Sequence, residues 1–134
     1  MPKKKPPLVY SYNRDKFDPP APALEVSLTI PGLVSYGQIV KSLALIDSGA
    51  DMTVIPKWVT QQLHLKYVDE VLVSGYDGVT KKTFVYSVKI IFDNLGDFII
   101  KAVASENEYI LIGRDILNRW SLFLKGRNRI FEVS

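Results

Sequence analysis

From Leu24 the chain alternates, with Leu24, Val26, Leu28 and Ile30 apolar and Glu25, Ser27 and Thr29 polar. A period of two predicts a strand that lays one face on a core, and Pro31 and Gly32 then predict a turn. Further runs predict strands over Gln38 to Ile46, Val68 to Ser74, Thr83 to Phe92, Phe98 to Ala104, Tyr109 to Ile112, Ser121 to Leu124 and Arg129 to Val133. Short strands at this spacing predict an all-β barrel or sandwich. Two segments change to helical spacing. Pro56 suits a first helical position, and Lys57 to Leu65 carries Trp58, Gln61, Gln62 and Leu65 on one side. Asp115 to Trp120 predicts a second short helix, with Ile116, Leu117 and Trp120 sharing a face.

The first 22 residues break the alternation. They hold six of the eight prolines, and proline fixes φ and removes an amide donor, which predicts an extended arm over residues 1–22 ahead of a domain over 23–134. Tyr10, Tyr12 and Phe17 within the arm give it something to pack with, against the body or a partner chain.

A chain of 134 residues, 47% hydrophobic and 23% charged, has enough apolar material for one core. The net charge of +3 comes from Lys3, Lys4 and Lys5; without them 14 basic side chains balance 14 acidic ones. Lys125, Arg127 and Arg129 fit a solvated turn better than a phosphate track, so no nucleic-acid partner is expected. Without cysteine there is no disulfide, thiol nucleophile or Cys-type zinc site, and His64 alone cannot build a metal site or a Ser/His/Asp triad. No apolar run reaches 18 residues and no apolar segment follows Met1, so neither a membrane span nor a secretory signal is expected. The expected compartment is the cytosol, and Met1 with its arm fits a free-standing protein.

The chemistry concentrates at "ALIDSGADMTVIP", Ala44 to Pro56. Asp47 follows an apolar run and precedes Ser48 and Gly49, where a charge needs a structural partner or a task. An Asp-Ser-Gly tripeptide alone suits any turn. Its surroundings add Ala50, Asp51, Thr53, Val54 and Ile55, and much later Tyr109 to Ile112 runs into Gly113-Arg114-Asp115 and the second helix.

Leu45 to Asp51, the glycine-bearing tip Ser74 to Gly78, and Ile110 to Asp115, in this order, resemble the retropepsin family of single-domain, retroviral-type aspartic proteases. The resemblance runs from Leu24 to about Val133. It implies a closed β barrel with a flap hairpin and one or two short helices, and it makes Asp47 the catalytic aspartate. Peptide hydrolysis in this family takes two carboxylates around one water. The chain has one Asp-Ser/Thr-Gly element, so the resemblance implies a homodimer in which each subunit supplies Asp47, acting on an extended peptide or protein without a cofactor or metal.

Other roles are carried over residue by residue. Ser48 corresponds to the hydroxyl that reaches the other subunit's loop, where many relatives have threonine. Gly49 lets backbone approach the carboxylates, and Ala50 belongs to the supporting active-site loop. Asp51 and Arg114 resemble a buried ion pair tying the active-site loop to the C-terminal helix, and Asp115 reads best as that helix's N-cap. Val71 to Ile91 resembles the flap, with Gly75, Tyr76, Asp77 and Gly78 at its tip; retroviral tips are richer in small residues. Val54, Ile55 and Ile112 are expected to wall apolar subsites. The competing reading is a catalytically idle dimer that keeps the fold as a peptide-binding or assembly module.

Overall fold

The computed structural model describes residues 5–32, 37–74 and 77–134. Among them, strand β2 (Ala23–Thr29) pairs antiparallel with β3 (Val40–Ile46), as the alternation of Leu24, Val26 and Leu28 requires. β3 runs parallel to β8 (Ile110–Ile112), which pairs through Leu111 with β4 (Val54–Pro56). β4 lies parallel to β7 (Gly96–Ser105), and β7 is antiparallel to β6 (Thr80–Phe92). β6 returns to β2 through Ser27, Leu28 and Thr29, and this pairing closes six strands into a barrel. β5 (Tyr67–Ser74) hangs on β6 outside the ring, with almost every side chain exposed.

The barrel is filled by alternate residues of its own strands. Val26, Leu28, Ala44, Ile55, Val88, Ile90, Ile110 and Ile112 are all buried. The ends are covered by two helices. α1 (Lys57–Gln62) inserts Val59, and Leu63 follows it into the core; α2 (Arg114–Leu117) contributes Ile116. Pro56 is the last residue of β4 and the N-cap of α1, with an extended ψ of 143°, one position earlier than its expected place inside the helix.

The N-terminal segment is not a free arm. Leu8–Ser11 form β1, which pairs antiparallel with β10 (Ile130–Val133), and β10 pairs with β9 (Leu122–Lys125) in a second, three-stranded sheet. Tyr10 stacks on the fully buried Phe131 at 5.2 Å between centroids. Phe17 meets Tyr109 edge-on at 5.0 Å, and the Pro22 carbonyl accepts a 3.0 Å bond from the Ile46 amide at the end of β3. Tyr10, Phe17 and also Tyr12, 6.1 Å from the Phe131 ring, thus anchor a segment whose prolines rule out helix but leave an edge strand open to it.

Candidate active site

Asp47 stands where the parallel pair of β3 and β8 ends. Its amide donates to the Ile112 carbonyl at 3.0 Å, which continues the ladder one step beyond Ile46 and pins the start of the loop. The loop then turns on itself, with the Ala50 amide donating to the Asp47 carbonyl at 3.1 Å and the Gly49 amide donating to Asp47 Oδ1 at 3.1 Å. The carboxylate is therefore aimed by its own turn. Asp47 and Ala50 are half-buried, while Ser48 and Gly49 are exposed on the surface of the single chain.

A second set of contacts ties this loop to α2. The Arg114 amide donates to the Ala50 carbonyl at 2.9 Å, its Nη1 donates to the Ser48 carbonyl at 2.7 Å, and its Nη2 pairs with Asp51 Oδ1. Asp51 and Arg114 form the expected pair, but it is not buried: in the single chain their side chains are 84% and 44% exposed. An exposed pair contributes only about 0–1 kcal/mol. Asp51→Asn is accordingly expected to cost less than about 1 kcal/mol, whereas Arg114→Met also strips a charged donor from the Ser48 carbonyl and is expected to cost about 1–2 kcal/mol. Urea midpoints of the two variants separate these values; equal losses would assign the whole effect to the ion pair.

Asp115 is not the N-cap of α2. Gly113 occupies that position, and the Asp115 carboxylate instead accepts bonds from Thr53 Oγ1 at 2.8 Å, the Thr53 amide at 3.1 Å and the Ile116 amide at 3.0 Å. Thr53 is fully buried, and its hydroxyl also accepts from the Gly113 amide at 3.2 Å. The helix is held to the residue just before β4 by a network between distant parts of the chain, where a cap would act only on the helix itself. Removing the hydroxyl leaves a buried amide and part of a carboxylate without partners, so Thr53→Val, near in shape, is expected to destabilise by about 1–3 kcal/mol. An unchanged urea midpoint would count against the network.

Beside Asp47 opens a cleft of about 700 Å³. Gly49 to Met52 form one side, Val71 to Ser74 of β5 the other, and Val54, Val103 and Leu111 the apolar floor. The three floor residues are cross-strand neighbours, since Val54 pairs with both Val103 and Leu111. Their alternates point inward: Ile55 and Ile112 have no exposed surface. Of the three expected wall residues, Val54 lines the cleft, while Ile55 and Ile112 are core. Leu111, Val103 and Met52 take the places left to them.

The hairpin of β5 and β6 extends past the cleft with Leu72 73% exposed. Of its tip, Gly75 and Tyr76 lie outside the described residues. Asp77 Oδ1 accepts a 3.0 Å bond from the Val79 amide, and Gly78 between them has φ of +75°, a conformation glycine takes without strain.

Residues 19–125 match the family model of the retroviral aspartyl protease. Among curated protein sequences none matches the chain significantly. Among solved structures, a retropepsin-like aspartic protease from Rickettsia conorii aligns over 96% of this chain and 89% of its own, with 16% identity and a TM-score of 0.59. The EIAV protease, in complex with an inhibitor, aligns over 82% and 93%, with 20% identity and a TM-score of 0.57. The simian foamy virus protease aligns over 71% and 92%, with 21% identity and a TM-score of 0.51. With the family model spanning all six barrel strands and every segment that lines the cleft, the chain belongs to the retroviral aspartyl protease family.

Proposed function

We propose that this protein is an aspartic endopeptidase whose working unit is a homodimer. The observation that carries this is the state of the acidic groups at the cleft: Asp47 is aimed by the Gly49 amide, and Asp51 is engaged by Arg114. One chain thus offers one uncommitted carboxylate where the chemistry uses two. A second copy related by a twofold axis supplies the other, which is the simplest closed assembly.

As is general for aspartic proteases, two such carboxylates share one proton because like charges about 3 Å apart do not both ionise. The ionised Asp47 takes a proton from a water as its oxygen attacks the scissile carbonyl carbon. The protonated Asp47 of the second copy gives its proton to the carbonyl oxygen. Collapse of the resulting diol breaks the C–N bond as the first Asp47 passes the proton it took from water to the amide nitrogen and the Asp47 of the second copy takes a proton from a diol hydroxyl. No covalent enzyme intermediate and no cofactor enter these steps.

The substrate is an extended peptide with apolar side chains. Val54, Val103 and Leu111 offer an apolar floor, and β5 is an edge strand whose free main-chain groups can pair with a peptide. In this reading the β5–β6 hairpin is the flap, closing over the peptide and excluding water. The test is cleavage of a diverse peptide library at mildly acidic pH, with wild type and Asp47→Asn compared. Cleavage by wild type alone, at bonds flanked by apolar residues, is the expected result. A dimeric wild type that cleaves nothing would leave a peptide-binding module in its place.

A further inference from the structure

A second cavity, of about 1150 Å³, shares no lining residue with the cleft beside Asp47. It forms where four parts of the chain meet: the segment entering β1, the turn between β6 and β7, the residues just past α2, and the end of β10. Its size is close to the upper end of the roughly 300–1,000 Å³ that small-molecule sites occupy.

The wall is apolar. Leu8, Leu95 and Trp120 are half-buried, and Val133 is fully buried. Phe92 and Phe98 make T-shaped contacts with the Trp120 ring, at 4.8 and 6.1 Å between centroids, and hold it in place. Trp120 Nε1 is buried and meets no acceptor among the described residues, so this residue of the wall has a donor to spare.

The charge around the cavity is of one sign. Lys5 and Arg119 both line it and are exposed, neither forms an ion pair among the described residues, and no lining residue is acidic. Lys5 ends the run Lys3-Lys4-Lys5 that carries the net charge of the chain. Arg119 Cζ lies 5.5 Å from the centre of the Phe98 ring, a contact that restrains the guanidinium while leaving its N–H groups able to donate. Asp93, beside Asn94 of the lining in sequence, is not itself part of the lining; it acts on Tyr10, whose phenol pKa is pushed up by burial first and by that carboxylate second.

We propose that this cavity binds an amphipathic monocarboxylate, free in solution. Its tail lies on Leu8, Leu95 and Trp120, and its head takes paired N–H bonds from the planar fork of Arg119, with Lys5 alongside. A bare anion would gain nothing from the wall, and a neutral apolar molecule nothing from the cations. The apolar part is recessed in a cavity, where a tail can enter and the flat surface of a bilayer cannot. The site stands apart from the homodimeric reading of the cleft, since the two share no residue.

Calorimetric titration of the wild-type chain with octanoate, 1-octanol and acetate tests this. Octanoate is expected to bind, and the other two at least about tenfold more weakly, acetate for want of a tail and 1-octanol for want of a charge. Arg119→Gln is expected to weaken octanoate binding about tenfold or more, the effect of losing a charge-assisted bond, and Lys5→Gln about two- to fivefold, the effect of losing an exposed charge. Octanoate that does not bind below its micelle threshold, or that binds Arg119→Gln as tightly as wild type, overturns the proposal. So does 1-octanol that binds as tightly as octanoate. Binding to vesicles of phosphatidylcholine and phosphatidylserine with no binding of free octanoate also overturns it and makes the patch a membrane contact.

Discussion

Gly113→Ala is expected to destabilise the protein by about 3 kcal/mol, at the upper end of the cost of overpacking a tight site, and to lower the midpoint of thermal unfolding by about 10 °C. The reason lies in what a Cβ would meet. It would stand 2.6 Å from the Met52 carbonyl carbon, 2.7 Å from that carbonyl oxygen and 2.9 Å from the Thr53 amide nitrogen. All three are backbone atoms, so no side chain can swing aside. Nor can the backbone retreat freely, because Thr53 is gripped on every side. Its amide and hydroxyl bind Asp115, its hydroxyl accepts from Gly113 itself, and its carbonyl accepts from the Val103 amide at 3.1 Å. Relief of the clash would have to break part of that network or lift α2 away from the Asp47 loop. Thermal unfolding followed by circular dichroism measures the effect. A midpoint within about 2 °C of wild type, corresponding to well under 1 kcal/mol, would mean that the Met52–Thr53 segment yields easily and that the approach is not tight.

This contact shows what a sequence can and cannot disclose. The Asp47 loop is legible because its working parts are contiguous: the carboxylate, the turn and the donating Gly49 amide occupy three successive residues. The strand after Pro22 is legible because its alternation persists long enough to count, and β6 and β7 because their apolar runs are long. The bond between Thr53 and Asp115 spans 62 positions, and nothing in either neighbourhood names the other. Asp115 has the sequence context of an N-cap, yet tertiary structure offers it two donors, the Thr53 amide and hydroxyl, that a cap would not use.

The misplaced wall residues have a different cause. In Ile110-Leu111-Ile112 all three side chains are apolar, so period two says that the middle one faces away from its neighbours but not which side is core. The barrel decides it, burying Ile110 and Ile112 and giving Leu111 to the cleft. β4 is three residues long, too short to show alternation, and β1 is masked by the prolines that precede it. In each case what was hidden is a relation between elements.

Asp47→Asn is expected to reduce peptide hydrolysis by about 10³-fold or more, within the range that general acid–base groups supply, while leaving the fold intact. Asparagine keeps the size of the side chain and an oxygen for the Gly49 amide, which donates to Oδ1 at 3.1 Å, so the loop retains its geometry. What it loses is the ability to accept a proton from water or to hold one for the carbonyl oxygen. The loss can be made to report on subunit stoichiometry. If wild-type and Asp47→Asn chains are unfolded together in equal amounts and refolded, random pairing leaves about one quarter of the dimers with two carboxylates. Activity per total protein should then fall to about one quarter of the wild-type value, and it should follow the square of the wild-type fraction as the ratio is varied. If each chain completes its own site with one Asp47 carboxylate, activity falls to about one half and follows the fraction linearly. A quadratic curve requires two chains at one site, since only a group contributed twice makes the activity depend on the fraction twice over. A linear curve from a protein that does cleave peptides would mean that each chain completes its own site, with the second proton-transfer group to be sought among the side chains around the cleft.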